Sequence, residues 1–319
     1  MSRNGQINLI FWVVAAVTVS CVPYGHATQH PPEIKVERKA VYLPAGKRQN
    51  PFNVTRHLIR LGDIQSGGPP KDGIPALDHP LFTSAAEGDQ VLKSSDPILG
   101  LEFDGVAKAY PIRILNWHEV VNDDVGHQPV LVSWCPLCGS GVVYNSVSAG
   151  QRHTFGVSGL LYKRNLLLYD HETESLWSQL GGIAETGDLA GTSLELLSAT
   201  QTTWVRWKSE YPRTAVLSFN TGFRRDYSKD PYANWQMDRR LALVVQVKDS
   251  TQLYPFSELK KAGSSLADSI GGVRVIILFD SQEQTGSVRG QDGQPIPHFV
   301  AFLADARAFY PDAPIFKQR

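Results

Sequence analysis

Apolar and polar positions alternate with a period of two through much of the chain, and the alternating stretches are short. Ile98 to Phe103 reads as one strand, Asp104-Gly105 as a two-residue turn, and Val106 to Tyr110 as the returning strand. Pro111 then opens a helix, where its missing N–H would be unpaired anyway. Ile114, Trp117, His118 and Val121 fall on one helix face by their i, i+3, i+4, i+7 spacing, and Asn122-Asp123-Asp124 ends it. Pro129 to Trp134 is an apolar strand, and Val142 to Asn145, after Gly139-Ser140-Gly141, is another. Phe155 to Gly159 and Asn165 to Asp170 predict strands with a glycine-rich turn, and Thr173 to Trp177 with Gly181-Gly182 the turn region that follows. Thr203 caps a short helix whose Trp204, Trp207 and Tyr211 share a face suited to core packing. Twenty prolines and 27 glycines spread through 319 residues fit many turns and short strands. The expected fold class is α+β and β-rich, with short helices.

A weak internal similarity extends this pattern. Ala107-Lys108-Ala109-Tyr110-Pro111-Ile112 echoes Thr251-Gln252-Leu253-Tyr254-Pro255-Phe256. Asp124-Val125-Gly126 and Val130-Leu131-Val132 echo Asp268-Ser269-Ile270-Gly271 and Val275-Ile276-Ile277. The second copy has Asp280 for Cys135 and Ala262 for His118, so two related β-rich lobes are expected, with the chemistry in the first. The implied organisation is a signal over 1–27, a tether over 28–48, a first lobe over 49–220, and a loop with a degenerate second lobe over 221–319.

The N-terminus bears on the compartment. Arg3 precedes a run from Ile7 to Val19 that is apolar except for Asn8 and Thr18, too short to span a bilayer but suited to a signal h-region. Gly25-His26-Ala27 offers small residues at a cleavage site. Thr18-Val19-Ser20-Cys21 alternatively resembles a lipoprotein site in which Cys21 is acylated, although Thr18 replaces the usual leucine. Both readings place the protein outside the cytoplasm, periplasmic or extracellular, touching a membrane only through such a lipid anchor. Lysine plus arginine equals aspartate plus glutamate, 31 each, so a nucleic-acid or polyanion partner has no support.

The mature chain then keeps one thiol pair, in Trp134-Cys135-Pro136-Leu137-Cys138-Gly139. In thioredoxin-like proteins such a pair opens a helix that activates the first thiol; here a β-branched run follows, so that likeness is superficial. Two thiolates on a tight turn are half of a zinc site or most of a copper(I) site. His118 is the best third ligand, with His153, Asp170 and His171 as candidates for the fourth, and a buried histidine bonded to backbone is the plain alternative. The other reading is a dithiol–disulfide couple, with His118 or Glu119 moving the proton and a thiol-redox or metal-delivery protein as partner. A static disulfide is the third, an inefficient staple because so short a loop removes little chain entropy. Glu119, Asp123, Trp117 and Trp134 would surround the centre. Asp72, in the stiff loop Ser66 to Pro75, and Asp226, Tyr227, Asp230 and Tyr232, in the polar loop Gly222 to Trp235, are candidate substrate contacts, or simply connections. Ser158 lacks the full nucleophile-elbow pattern, His118-Glu119 lacks the second histidine of HExxH, and no Walker or dinucleotide motif occurs.

Gly67-Gly68-Pro69-Pro70-Lys71-Asp72-Gly73-Ile74-Pro75, Lys108 to Pro111, Trp117 to Asp123, Cys135-Pro136-Leu137-Cys138 and Phe155 to Gly159 together resemble the domain of unknown function family 3179. Tyr169-Asp170, Ser175-Leu176-Trp177 and the Asp226-Tyr227 to Asp230-Pro231-Tyr232 loop match it too. The resemblance covers nearly all the mature chain. It implies a bacterial or archaeal protein, often exported, and brings no activity with it.

Overall fold

A computed structural model describes residues 33–47 and 49–318. The proposed signal, both cleavage readings and Cys21 lie outside the described residues. Those described form 26 short strands, five seven-residue α-helices and one 3₁₀ turn, a β-rich fold with little helix. No helix among them is long and apolar enough to cross a membrane.

The strand Gln128–Cys135 explains the layering. Leu131 and Cys135 point to one core cluster, while Val130, Val132 and Trp134 point to another, so the strand is buried on both faces. It lies in a central antiparallel sheet ordered Ser250–Pro255, Leu241–Val247, His298–Phe302, Ser140–Asn145, Gln128–Cys135, Val120–Val125. One face packs on an outer sheet that includes Ile183–Thr186, Leu176–Ser178, Asn165–Asp170 and Phe155–Tyr162. The other face is covered in two parts. Leu99, Leu101 and Tyr110 of the hairpin Pro97–Phe103 and Val106–Pro111 cover Val121, Val132 and Trp134. Val275, Ile277 and Val288 of the meander Ser265–Ile270, Val273–Asp280, Thr285–Gly290 cover Leu243 and Val245.

Two runs of the chain share element order and lengths. Pro97–Phe103, Val106–Pro111, the helix Ile112–His118, Val120–Val125, Gln128–Cys135 and Ser140–Asn145 are matched by Leu241–Val247, Ser250–Pro255, the helix Phe256–Ala262, Ser265–Ile270, Val273–Asp280 and Thr285–Gly290. A buried tyrosine bonds an aspartate at the same place in each: Tyr110 Oη donates to Asp123 Oδ2 at 2.7 Å, and Tyr254 Oη to Asp268 Oδ2 at 2.8 Å. The boundary expected at 220/221 parts these runs in sequence but not in space, because the central sheet takes strands from both.

Several local expectations are corrected. The hairpin turn is as expected, with Asp104 and Gly105 at φ +52° and +77°. The following helix stops a turn early. Glu119 sits at φ +58° and its N–H reaches Leu115 O, after which the β-branched pair Val120-Val121 starts a strand, so Val121 and Asn122-Asp123-Asp124 are strand residues. Asn165–Asp170 is reached through Lys163-Arg164 at φ +50° and +67°, not through glycine. Gly159, at φ +77°, instead makes the bulge that admits Pro69. Thr203 precedes its helix without capping it, since its hydroxyl bonds Glu283. The described part of the 28–48 tether is not free: Lys35–Val36 pairs with Arg56–His57 and Tyr42–Leu43 with Phe52–Asn53.

Candidate functional site

Cys135 ends its strand and Cys138 lies on the turn back to Ser140–Asn145. Gly139 closes that turn at φ +57°, with its backbone so near Phe302 that a Cβ would stand 2.5 Å from the ring. Cys138 N–H donates to Cys135 O at 3.2 Å. The thiols are buried, 1 % and 0 % exposed, and unbridged. Around them is an amide network that sequence patterning did not single out. Asn165 Nδ2 donates to Cys138 Sγ at 3.5 Å and to Gln179 Oε1 at 2.7 Å, and Ser140 Oγ donates to the same oxygen at 3.1 Å. The adjacent Cys135 thiol, then burial, push the Cys138 thiol far up, against the Asn165 amide; no helix N-terminus opposes them. Cys138 therefore rests as a neutral thiol.

The left-handed residue Glu119 sets the second cluster. His118 is fully buried. Its Nδ1–H donates to Pro75 O at 2.8 Å, since a carbonyl can only accept, and its Nε2 accepts from Tyr227 Oη at 2.7 Å. Tyr227 is in turn bonded to Thr221 Oγ1 at 2.5 Å. Burial lowers the His118 pKa, with the Pro75 bond opposing, so the ring is neutral. Burial pushes the Glu119 carboxyl up to about 7, although Tyr232 Oη donates to it at 2.7 Å. Tyr232 is itself held up by burial, then by Glu119, with Cys135 close enough to contribute. The Trp134 backbone N–H donates to the Glu119 backbone carbonyl at 2.8 Å, so the Glu119 main chain lies opposite the residue before Cys135.

This geometry corrects the expected ligand set. Both ring nitrogens of His118 are engaged, and among the described residues no group of three donor atoms within 4.8 Å combines it with the thiols. Trp134 faces the opposite cluster, with its indole on Asn116, and Trp117 Nε1 bonds Lys229 O, so neither shields the sulfurs. Asp123 is held by Lys108 and Tyr110 in the hairpin layer, away from the thiols. His171 is exposed and stacks on Tyr169. His153 and Asp170 do come together, but with Glu172 and not with the cysteines. Ser158 Oγ is spent on Leu167 O.

The two candidate loops meet beside this centre. Ser66 to Pro75 is docked on the outer sheet by Gly67 N–H to Gly159 O and Asp72 N–H to Val157 O. With Tyr169, His171 and Glu174 it forms an open cleft of about 560 Å³ in which Lys71 pairs with Glu174 at 2.6 Å and Tyr169 Oη bonds Asp72 at 2.8 Å. Phe223 lines the same cleft and packs on His118 at 5.3 Å, so the polar loop reaches it. Tyr227 and Tyr232 anchor that loop inward and Asp230 accepts from Asn116 at 3.3 Å. Asp226 is exposed and bonds only Ser228 and Lys229, outside the site. A larger groove of about 960 Å³ runs between the hairpin Pro97–Phe103 and the second run, lined by Arg206, Trp207, Arg289 and His298. The thiols take no part in it.

Of the motif residues, Lys71 and Tyr169 meet in the cleft and His118 bonds Pro75, which lines it. The profile of the family described as Protein of unknown function (DUF3179) matches residues 71–296, well over half of the chain. The chain belongs to that family. No curated protein matches it, and no solved structure does.

Proposed function

We propose that this DUF3179 protein works through Cys135 and Cys138 as a dithiol–disulfide couple. What carries the reading is a pair of unbridged thiols on one turn, with Cys135 close enough to influence Tyr232, whose hydroxyl bonds the Glu119 carboxyl; the pKa of that carboxyl, about 7, suits a proton acceptor at neutral pH. Oxidation joins the two sulfurs, releases two protons and passes two electrons to a partner disulfide, which is reduced to two thiols. Glu119 accepts the proton of the attacking thiol and hands it on to the leaving partner sulfur, so both protons end on the partner thiols. The loop Gly222 to Trp235, held through Tyr227 and Tyr232, must lift for a partner to reach the sulfurs. The apolar run Ile7 to Val19 and the two cleavage readings support work outside the cytoplasm, where such a pair meets oxidants.

The soft-metal alternative narrows with His118 engaged: two thiolates alone suit copper(I) better than zinc, which wants four ligands. One experiment separates the readings. Protein isolated from the extracytoplasmic fraction is assayed for metal and for thiols in denaturant, before and after mild reduction. The redox reading expects no stoichiometric metal and two thiols gained on reduction. Copper or zinc near one per chain with both thiols retained, or a pair that resists reduction in the folded protein, would overturn it.

The shared element lengths and the matched Tyr110–Asp123 and Tyr254–Asp268 bonds support a finer reading, that the two runs are copies of one unit. Asp280 and Glu283 stand where the first copy has Cys135 and Cys138, so the second copy would serve as scaffold.

A further inference from the structure

The buried carboxylate Asp170 raises a question that the thiol chemistry does not answer. Its side chain is fully buried and takes three donors: Thr173 N–H at 2.6 Å on Oδ1, and Thr173 Oγ1 at 3.0 Å and Trp177 Nε1 at 2.8 Å on Oδ2. Donors reach both of its oxygens. Yet among the described residues no lysine or arginine pairs with it. A buried carboxyl group is normally paired with a cation or bound to a metal. Oδ1 accepts a single bond and so keeps a lone pair free.

Two further groups converge on it. His153 is 2 % exposed, its ring wedged against Phe155 and Trp177, and its Nδ1 has no hydrogen-bond partner. That nitrogen lies 3.6 Å from Glu172 Oε2, and one donor atom from each of His153, Asp170 and Glu172 lies within 4.8 Å of the other two. Local structure fixes the arrangement. Phe155 pairs with Asp170 across the strands, and Thr154 donates to Glu172 through its N–H at 3.1 Å and its hydroxyl at 2.9 Å. Ligand atoms about 2.1 Å from a shared ion at tetrahedral angles stand about 3.4 Å apart, close to the 3.6 Å between His153 Nδ1 and Glu172 Oε2.

We propose that His153, Asp170 and Glu172 hold a divalent first-row cation of the Mn²⁺ or Zn²⁺ class. One imidazole nitrogen and two carboxyl oxygens form a mixed donor set that suits such an ion. The nitrogen donor argues against Ca²⁺ and Mg²⁺, and the lack of sulfur against copper(I). Three protein ligands leave a coordination position open, and the Glu172 side chain, 27 % exposed, marks the side from which water or a substrate oxygen would enter. This site is independent of the thiol pair.

The test uses the full chain, stripped with a chelator. Mn²⁺ is added and the free ion followed by electron paramagnetic resonance; Zn²⁺ binding is measured in the Cys135→Ser, Cys138→Ser variant, where thiolates cannot compete. One saturable ion per chain is expected. Glu172→Gln should weaken it at least tenfold, and His153→Gln further. Glu172 is partly exposed, so its variant should melt with the metal-free parent, and added ion should raise the melting temperature of the parent only. No saturable binding of either ion, or unchanged affinity in Glu172→Gln, would overturn the proposal and leave a closed histidine–carboxylate pair.

Discussion

Glu119 is the residue on which local conformation, electrostatics and access to the thiols meet. Its left-handed backbone ends the helix and turns its carboxyl into the core, where burial raises the pKa from 4.5 to about 7. The folded state therefore binds more protons than the unfolded chain between those values, and stability falls as pH rises through that window. Fully expressed, the loss is roughly 3 kcal/mol. Glu185, also raised to about 7 by burial, adds to it in the same direction. Glu119→Gln keeps an acceptor for Tyr232 but cannot ionise, so the urea midpoint of this variant should fall distinctly less than the parent's between pH 5 and pH 8. An undiminished fall would mean that the Glu119 carboxyl does not lose solvation on folding. His118 shows how far single residues were legible in the sequence. Its helical spacing and nearness to the CxxC marked it as inward-facing, which it is. Its ligand role did not follow, because that depended on Pro75 and Tyr227, distant in sequence, taking both its nitrogens.

At the scale of elements, a tight turn fixes the thiols, and the loop Gly222 to Trp235 is anchored on His118 and Glu119. Gly139 combines a left-handed φ with a Cβ position against Phe302, so Gly139→Ala should cost about 2–4 kcal/mol, read as a shift in the denaturation midpoint. A cost below about 0.5 kcal/mol would show that the turn relaxes freely. The loop Gly222 to Trp235 hangs on few inward bonds, of which Tyr227 to His118 is one. His118→Ala should speed alkylation of the native thiols at least tenfold, and Asp226→Asn, at an exposed position, should leave the rate alone. Equal rates in the parent and His118→Ala would release His118 from its positioning role. Strands and hairpins were readable because alternation and turn chemistry are local, as Asp104-Gly105 illustrates. The end of the helix at His118 was not, since the apolar face continues in register into Val121 and only the left-handed Glu119 breaks it. The docking of Ser66 to Pro75 escaped for a related reason: it depends on the bulge at Gly159, far along the chain.

The whole molecule is organised by one sheet that both runs share. Val300 pairs with Gly141 on one side and Leu243 on the other, which ties the second run to the strand that follows the CxxC turn. The core around the sulfurs likewise mixes the runs, with Val244, Leu253, Phe299 and Ala301 beside Cys135, Cys138 and Val142. Weak internal similarity led to an expectation of two lobes; it could not reveal that one central sheet takes strands from both halves of the chain, because that pairing joins residues more than 150 positions apart. Cooperative unfolding follows from this arrangement. Phe299→Ala empties a fully buried site on His298–Phe302, the strand that joins the second run to the first, and should cost about 3–5 kcal/mol. If the molecule unfolds as one unit, the midpoint for exposure of Cys135 and Cys138 must shift by the same amount as the midpoint for loss of strand signal. Were the halves independent, the thiols would stay protected at denaturant concentrations that had already melted the second run. Reading both midpoints in the same titration decides between a sheet that merely adjoins the thiol site and one that keeps it closed.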